Sequence, residues 1–137
     1  MFFDVNIWTV FAGGIAAVVI GFIWYLPAIF GSTWLRLAGI DTADDEDTKN
    51  KMPQLVLSAF IAALILSWVM SQFALVWGAV TVGSALELGF WIWLGFMGPI
   101  LLSSVLWERK HVTYAAINAG YWLVTTLSIA IIVSLWK

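Results

Sequence analysis

The sequence predicts an all-α protein, an integral membrane bundle of four transmembrane helices. Three observations carry that prediction. Of the 137 residues, 63% are hydrophobic and 10% are charged, whereas a soluble domain carries about a quarter charged residues. Mean hydropathy is +0.99, and so short a chain has too much surface to hide that apolar load inside a water-soluble globule. The charges are also segregated: none lies between Val5 and Leu35, only Glu87 lies between Pro53 and Trp107, and none lies between Val112 and Trp136. A water-soluble enzyme or binding module is excluded. The absence of cysteine excludes disulfides, thiolate zinc sites and a cysteine nucleophile.

A membrane-spanning helix needs about 20 mostly apolar residues. The first uncharged stretch supplies one span, residues 7–30. The second is too long for one span and breaks at Trp77-Gly78 and Gly83-Ser84, giving spans over 54–76 and 85–106. The last gives 113–135, and residues 31–53 form a polar loop. Helices are required because backbone groups in lipid must be satisfied within the segment, and a barrel would show alternating segments of about 10 residues. The first span has no basic segment before it and no small-x-small cleavage site, so it reads as a retained helix.

Orientation follows from the basic residues. Arg36, Lys49 and Lys51 follow the first span, Arg109 and Lys110 follow the third, and Lys137 stands alone at the other end. The two basic loops are expected in the cytoplasm and both termini on the non-cytoplasmic side. Trp8, Trp24, Trp34, Trp77, Trp107 and Trp136 stand at span ends, as in an aromatic belt, while Trp68, Trp91, Trp93 and Trp122 are expected to fill helix contacts. Trp34-Leu35-Arg36-Leu37 reads as an interfacial anchor.

Lipid gives helices no hydrophobic reason to associate, so small residues that permit close approach mark the contacts. The first span has Gly13, Ala17 and Gly21 at four-residue spacing, the second Ala59, Ala63, Ser67 and Ser71, and the fourth Ala116 and Gly120. Pro27 and Pro99 lie inside spans and cannot bond the carbonyls of Ile23 and Gly95, so both mark kinks. Such breaks shape helices, or they make discontinuous helices that line a binding site.

Tyr114, Asn118, Tyr121, Thr125 and Ser128 fall on one face of the fourth span. That face is expected to point into the bundle, with Asn118 or Tyr121 bonded to the first-span kink around Ile23 and Trp24. Glu87 is the one ionisable residue inside a span, and Gln72 lies near the same end of the neighbouring helix. A proton-coupled transporter can use such a carboxylate, but this one is close enough to the span end to snorkel to the interface. His111, the only histidine, sits beside Arg109 and Lys110 in a loop and reads as solvated rather than as a ligand. Thr42-Ala43-Asp44-Asp45 fits a capping box, and the acidic run that follows lacks the glycine and spacing of a calcium loop. Nothing indicates a metal, a cofactor or, at net charge −2, a nucleic acid.

Three segments are similar to a known family. They are Gly21-Phe22-Ile23-Trp24-Tyr25-Leu26-Pro27-Ala28-Ile29-Phe30-Gly31-Ser32-Thr33-Trp34, Trp93-Leu94-Gly95-Phe96-Met97-Gly98-Pro99 and Ile117-Asn118-Ala119-Gly120-Tyr121-Trp122-Leu123. The chain resembles, over nearly its whole length, the small bacterial membrane proteins grouped as domain of unknown function 1761. The resemblance implies a four-helix protein of the bacterial inner membrane and no established activity. The expectation is an accessory membrane protein, not an enzyme, that packs against a larger complex or against copies of itself in the bilayer. The alternative is a small transporter or channel using Glu87 and the polar face of the fourth span.

Overall fold

The structure, a computed structural model, describes residues 4–39 and 45–136, with the side chains of residues 45–49 left aside. The described residues form helices and turns and no strand. In chain order the α-helices are α1 (Ile7–Trp24), α2 (Ser32–Ala38), α3 (Asp45–Trp77), α4 (Val82–Ile92), α5 (Gly98–Leu106) and α6 (Val112–Leu135). Two wide π-helical turns, Pro27–Gly31 and Trp93–Met97, lead into α2 and α5. Four segments are long and apolar enough to cross a bilayer: Ile7–Trp24, Asn50–Trp77, Val82–Leu106 and Val112–Leu135.

The first span ends at Trp24 and not at residue 30. The residue before a proline is pushed out of helical backbone, and Leu26 adopts φ −61°, ψ 140° ahead of Pro27. The expected kink is therefore a full break. The amide of Leu26 reclaims the Ile23 carbonyl at 3.2 Å, and that of Gly31 closes the wide turn on the Leu26 carbonyl at 2.9 Å. The region expected as a loop over 31–53 instead carries α2, stopped by Gly39 at φ 75°, and the first turns of α3. Pro53 sits inside α3 at an exposed position, where the carbonyl it leaves unbonded lies near the end of the span. The residues of the expected capping box before α3, Thr42 to Asp44, lie outside the described residues.

The third span starts at Val82 and not at 85. Gly78, at φ 74°, ends the turn after α3. Thr81 and Ser84 then cap α4 reciprocally, each side chain bonding the other's backbone amide. Pro99 falls in the first turn of α5, where its missing N–H costs no helical bond. The irregularity sits one turn earlier, where the Gly98 amide reaches back five residues to the Trp93 carbonyl.

The core is built from small side chains. Ala17, Ala63, Ala74, Ala79, Ala85 and Ala130 are buried around Met70, Leu88 and Ile129. Large apolar residues such as Ile15, Phe22, Ile65, Phe96 and Ile100 turn outward. That inversion of the soluble pattern suits a bundle solvated by lipid and held by close backbone approach. Gly13 lies directly on Ser67 of α3, and Gly89 of α4 rests against Leu127 and Ala130 of α6.

The expected stripes hold over part of their length. Ala63, Ser67 and Ser71 are buried, but Ala59 is exposed, where α1 and α3 stand apart. There a cleft of about 440 Å³ opens between α1 and α3, lined by Gly21, Tyr25, Met52, Leu55, Ala59 and Tyr121. On α6, Gly120 packs beneath the Trp24 ring, while Ala116 stays exposed. Trp91, expected in a helix contact, is 51% exposed, because the buried face of α4 is Ala85, Leu88, Gly89 and Ile92.

Candidate functional site

The break at Leu26–Pro27 places three aromatic residues of the α1–α2 segment against the first turns of α6. The Trp24 indole N–H donates to the Ile117 carbonyl at 3.0 Å. The Tyr25 hydroxyl donates to Asn118 Oδ1 at 2.7 Å. One turn deeper, the Tyr121 hydroxyl donates to the Ala17 carbonyl at 3.0 Å. Tyr121 thus bonds α1 and Asn118 the residue that follows it, though neither bonds Ile23. Their partners are the side chain just past the helix end and a carbonyl two turns before it.

Rings complete the cluster. Tyr25 meets Tyr121 at 5.5 Å and Trp34 edge-on at 5.6 Å, and Trp34 stacks over Tyr114 at 6.1 Å. Lys110 Nζ lies 5.4 Å over the Tyr114 ring and donates to the Ala38 carbonyl at 3.3 Å, which fastens the end of α2 to the start of α6. Trp34 is held by ring contacts alone, for its buried indole N–H has no hydrogen-bond partner.

Gly31 makes this arrangement possible. It is buried, and a Cβ added there would fall on the Tyr25 carbonyl oxygen. Only glycine lets the wide turn close so tightly. Sequence reasoning missed it, although it sits four residues after a proline that follows an aromatic pair.

Above the cluster, hydroxyl side chains continue along the α1–α3–α6 interface. Thr9, Ser67, Ser71, Thr125 and Ser134 are each at most 4% exposed. Ser71 donates to the Ser67 carbonyl and Thr9 to the Asn6 carbonyl, while the Ser67 and Ser134 hydroxyls have no hydrogen-bond partner. Near the termini this column meets a small recess lined by Asp4, Asn6, Thr9, Ser71 and Trp136. Of the expected stripe on α6, Tyr114, Asn118, Tyr121 and Thr125 face the bundle, whereas Ser128 is half-exposed and bonds the Val124 carbonyl of its own helix.

Glu87 is not part of this column. It is exposed on the side of α4 opposite Ala85, Leu88 and Ile92. Gln72 is half-buried on α3 and is not without a partner. His111 is exposed and caps α6, its Nδ1 accepting from the Thr113 amide at 3.0 Å. Among the described residues, no three His, Asp or Glu side chains come together as a metal site would require.

Comparison with known proteins comes down to one match. A family model described as "Protein of unknown function (DUF1761)" matches residues 8–134, nearly the whole chain. No curated protein and no solved structure matches the chain.

Proposed function

The chain belongs to the DUF1761 family of proteins of unknown function, and from that premise we propose that it is a packing subunit of the bacterial inner membrane. In this reading it carries no catalysis of its own and associates, through the outer face of its third span, with a larger membrane complex or with another copy of itself. The observation that carries the reading is Glu87, set on the face of α4 that turns away from the core. A carboxylate at the centre of a span costs about 2.5–3.5 kcal/mol, and less near the end. A donor on a facing helix removes much of that cost. Around Glu87 the same span exposes Phe90, Trp91 and Leu94, and Gly95 has no atom within 4 Å of an added Cβ. Aromatic anchors around a point of close backbone approach suit helix packing in lipid. In this reading the α2 end of the bundle faces the cytoplasm, which the basic residues Arg36, Arg109 and Lys110 at that end support.

Native mass spectrometry of the full chain extracted in mild detergent tests the proposal. It is expected to show a dimer or a co-purifying membrane protein, and Glu87→Gln is expected to weaken that association without unfolding the chain. Monomer alone, with no companion, overturns it.

The buried Ser67 and Ser134 hydroxyls, which lack partners, favour a second reading in which the hydroxyl column conducts a small polar solute. The structure separates Glu87 from that column. In this version Ser67→Ala lowers flux in proteoliposomes and Glu87→Gln leaves it unchanged.

A further inference from the structure

On the side of the bundle where α5 lies beside α6, the walls of a groove stand apart although the α6 wall is made of small residues. Gly98, Leu101, Leu102 and Val105 line the α5 wall, and Ala115, Ala116 and Ala119, with Val112 at their end, line the α6 wall. Small residues ordinarily let two helices close on each other. Here Trp93 keeps them apart: its indole N–H spans from the wide turn above α5 to the Ala119 carbonyl, at 2.9 Å. The space left is about 550 Å³ and its lining is almost wholly carbon. From Trp93 to Val105 it runs roughly 18 Å at 1.5 Å per residue, the scale of an extended fatty acyl chain.

At its lower end the groove is lined by Val105 and Val112, the residues that flank the connection containing Trp107-Glu108-Arg109-Lys110-His111. Trp107 is 83% exposed there, as befits an indole at headgroup level. Arg109 holds the left-handed backbone conformation at φ 58°, and the next amide, Lys110 N–H, closes on the Ser104 carbonyl at 2.9 Å. That bond fixes the hairpin. Lys110 is engaged with Ala38 and Tyr114, whereas Arg109 is exposed and makes no hydrogen bond or ion pair among the described residues. Its one acidic neighbour in the hairpin is Glu108, also exposed.

We infer that the α5–α6 groove is a binding site for an anionic phospholipid, with one acyl chain lying in the groove and the headgroup phosphate held by Arg109. The apolar volume, its length and a free guanidinium at its headgroup end match the two parts of that ligand. A guanidinium forks onto phosphate oxygens in a way that a lysine cannot. The site shares only Leu94 with the face around Glu87 and does not rest on the packing proposal.

The test uses the full chain in detergent, exposed in turn to phosphatidylglycerol and phosphatidylcholine of identical chains, with lipid retention read by native mass spectrometry. The wild type is expected to retain phosphatidylglycerol about fivefold better, the factor one basic residue contributes beside an anionic headgroup. Arg109→Gln is expected to remove that preference, and Glu108→Gln to keep or raise it. Ala116→Phe, which fills the groove from an exposed position, is expected to lower retention of both lipids, and Leu102→Trp to do the same from the opposite wall. Equal retention of the two lipids by the wild type overturns the inference. So does a preference that survives Arg109→Gln, or retention that neither groove-filling variant diminishes.

Discussion

The Tyr25 hydroxyl and the Asn118 side chain, 93 positions apart in sequence, are joined by a hydrogen bond of 2.7 Å. This bond ties the point where α1 ends to the first turns of α6. The Trp24 indole does the same one residue earlier, through the Ile117 carbonyl. The end of α1 is thus held by polar bonds where its backbone ladder stops, in surroundings that offer few other donors or acceptors.

Removing either member of the pair is expected to destabilise the bundle. Tyr25→Phe and Asn118→Ala should each lower the unfolding midpoint in detergent. Their double-mutant cycle should show a coupling of about 0.6 kcal/mol, the average for interhelical hydrogen bonds in a membrane, and no more than about 1.7 kcal/mol. Additive losses would mean that the two side chains act independently.

Gly31→Ala is expected to be among the most damaging single-methyl changes in the chain, since the new Cβ would meet the backbone of Tyr25 and Leu26. Overpacking usually costs about 1–3 kcal/mol, and backbone cannot move aside as a side chain can. Gly95→Ala, with open space around it, is the matched control and should leave the midpoint of the isolated chain unchanged. Thermal unfolding of both variants side by side checks this.

Gly13 and Ser67 should behave as a compensating pair. A Cβ at Gly13 would land on the Ser67 side chain, so Gly13→Ala is expected to lower stability. Adding Ser67→Gly, which clears that space, should restore much of the loss. No recovery in the double variant would show that the α1–α3 contact does not close at this point.

Sidedness can be read with single cysteines, because the chain has none of its own. Asn50 and Glu108 are exposed at one end of the bundle and Val80 is exposed at the other. Asn50→Cys and Glu108→Cys should react with an impermeant maleimide from the same face of oriented vesicles, and Val80→Cys from the opposite face. Reaction of Asn50→Cys and Glu108→Cys from opposite faces would contradict the four-span bundle.

The sequence made the spans legible because charge is excluded from them so sharply, and it made Asn118 and Tyr121 legible because polar residues in lipid must find partners within the bundle. The rotation of each helix was much less legible. In water, an apolar stripe marks the inner face of a helix. Here both faces are apolar, so nothing in the pattern shows that Trp91 turns outward or that Ala59 loses its neighbour. Small residues carried part of that information, which is why Gly13, Ala17, Ala63 and Ser67 were found. Trp93 was legible as a helix contact, and it does bond α6 through the Ala119 carbonyl, but Gly31 escaped because its role depends on a backbone irregularity that the proline before it announces only in part.

The wide turn at Trp93–Met97 resets the phase of the span that contains it. One extra residue in a turn shifts every later side chain by roughly 100° about the axis. The buried face of α4 therefore has no continuation in α5, which has no buried residue of its own. The two halves of this span are keyed differently, the upper to the bundle and the lower to whatever lies beside α6. Deleting a single residue within the turn would bring the halves back into register and swing Gly98 and Leu102 away from the Ala116 wall, so the length of this segment is set more tightly than its composition.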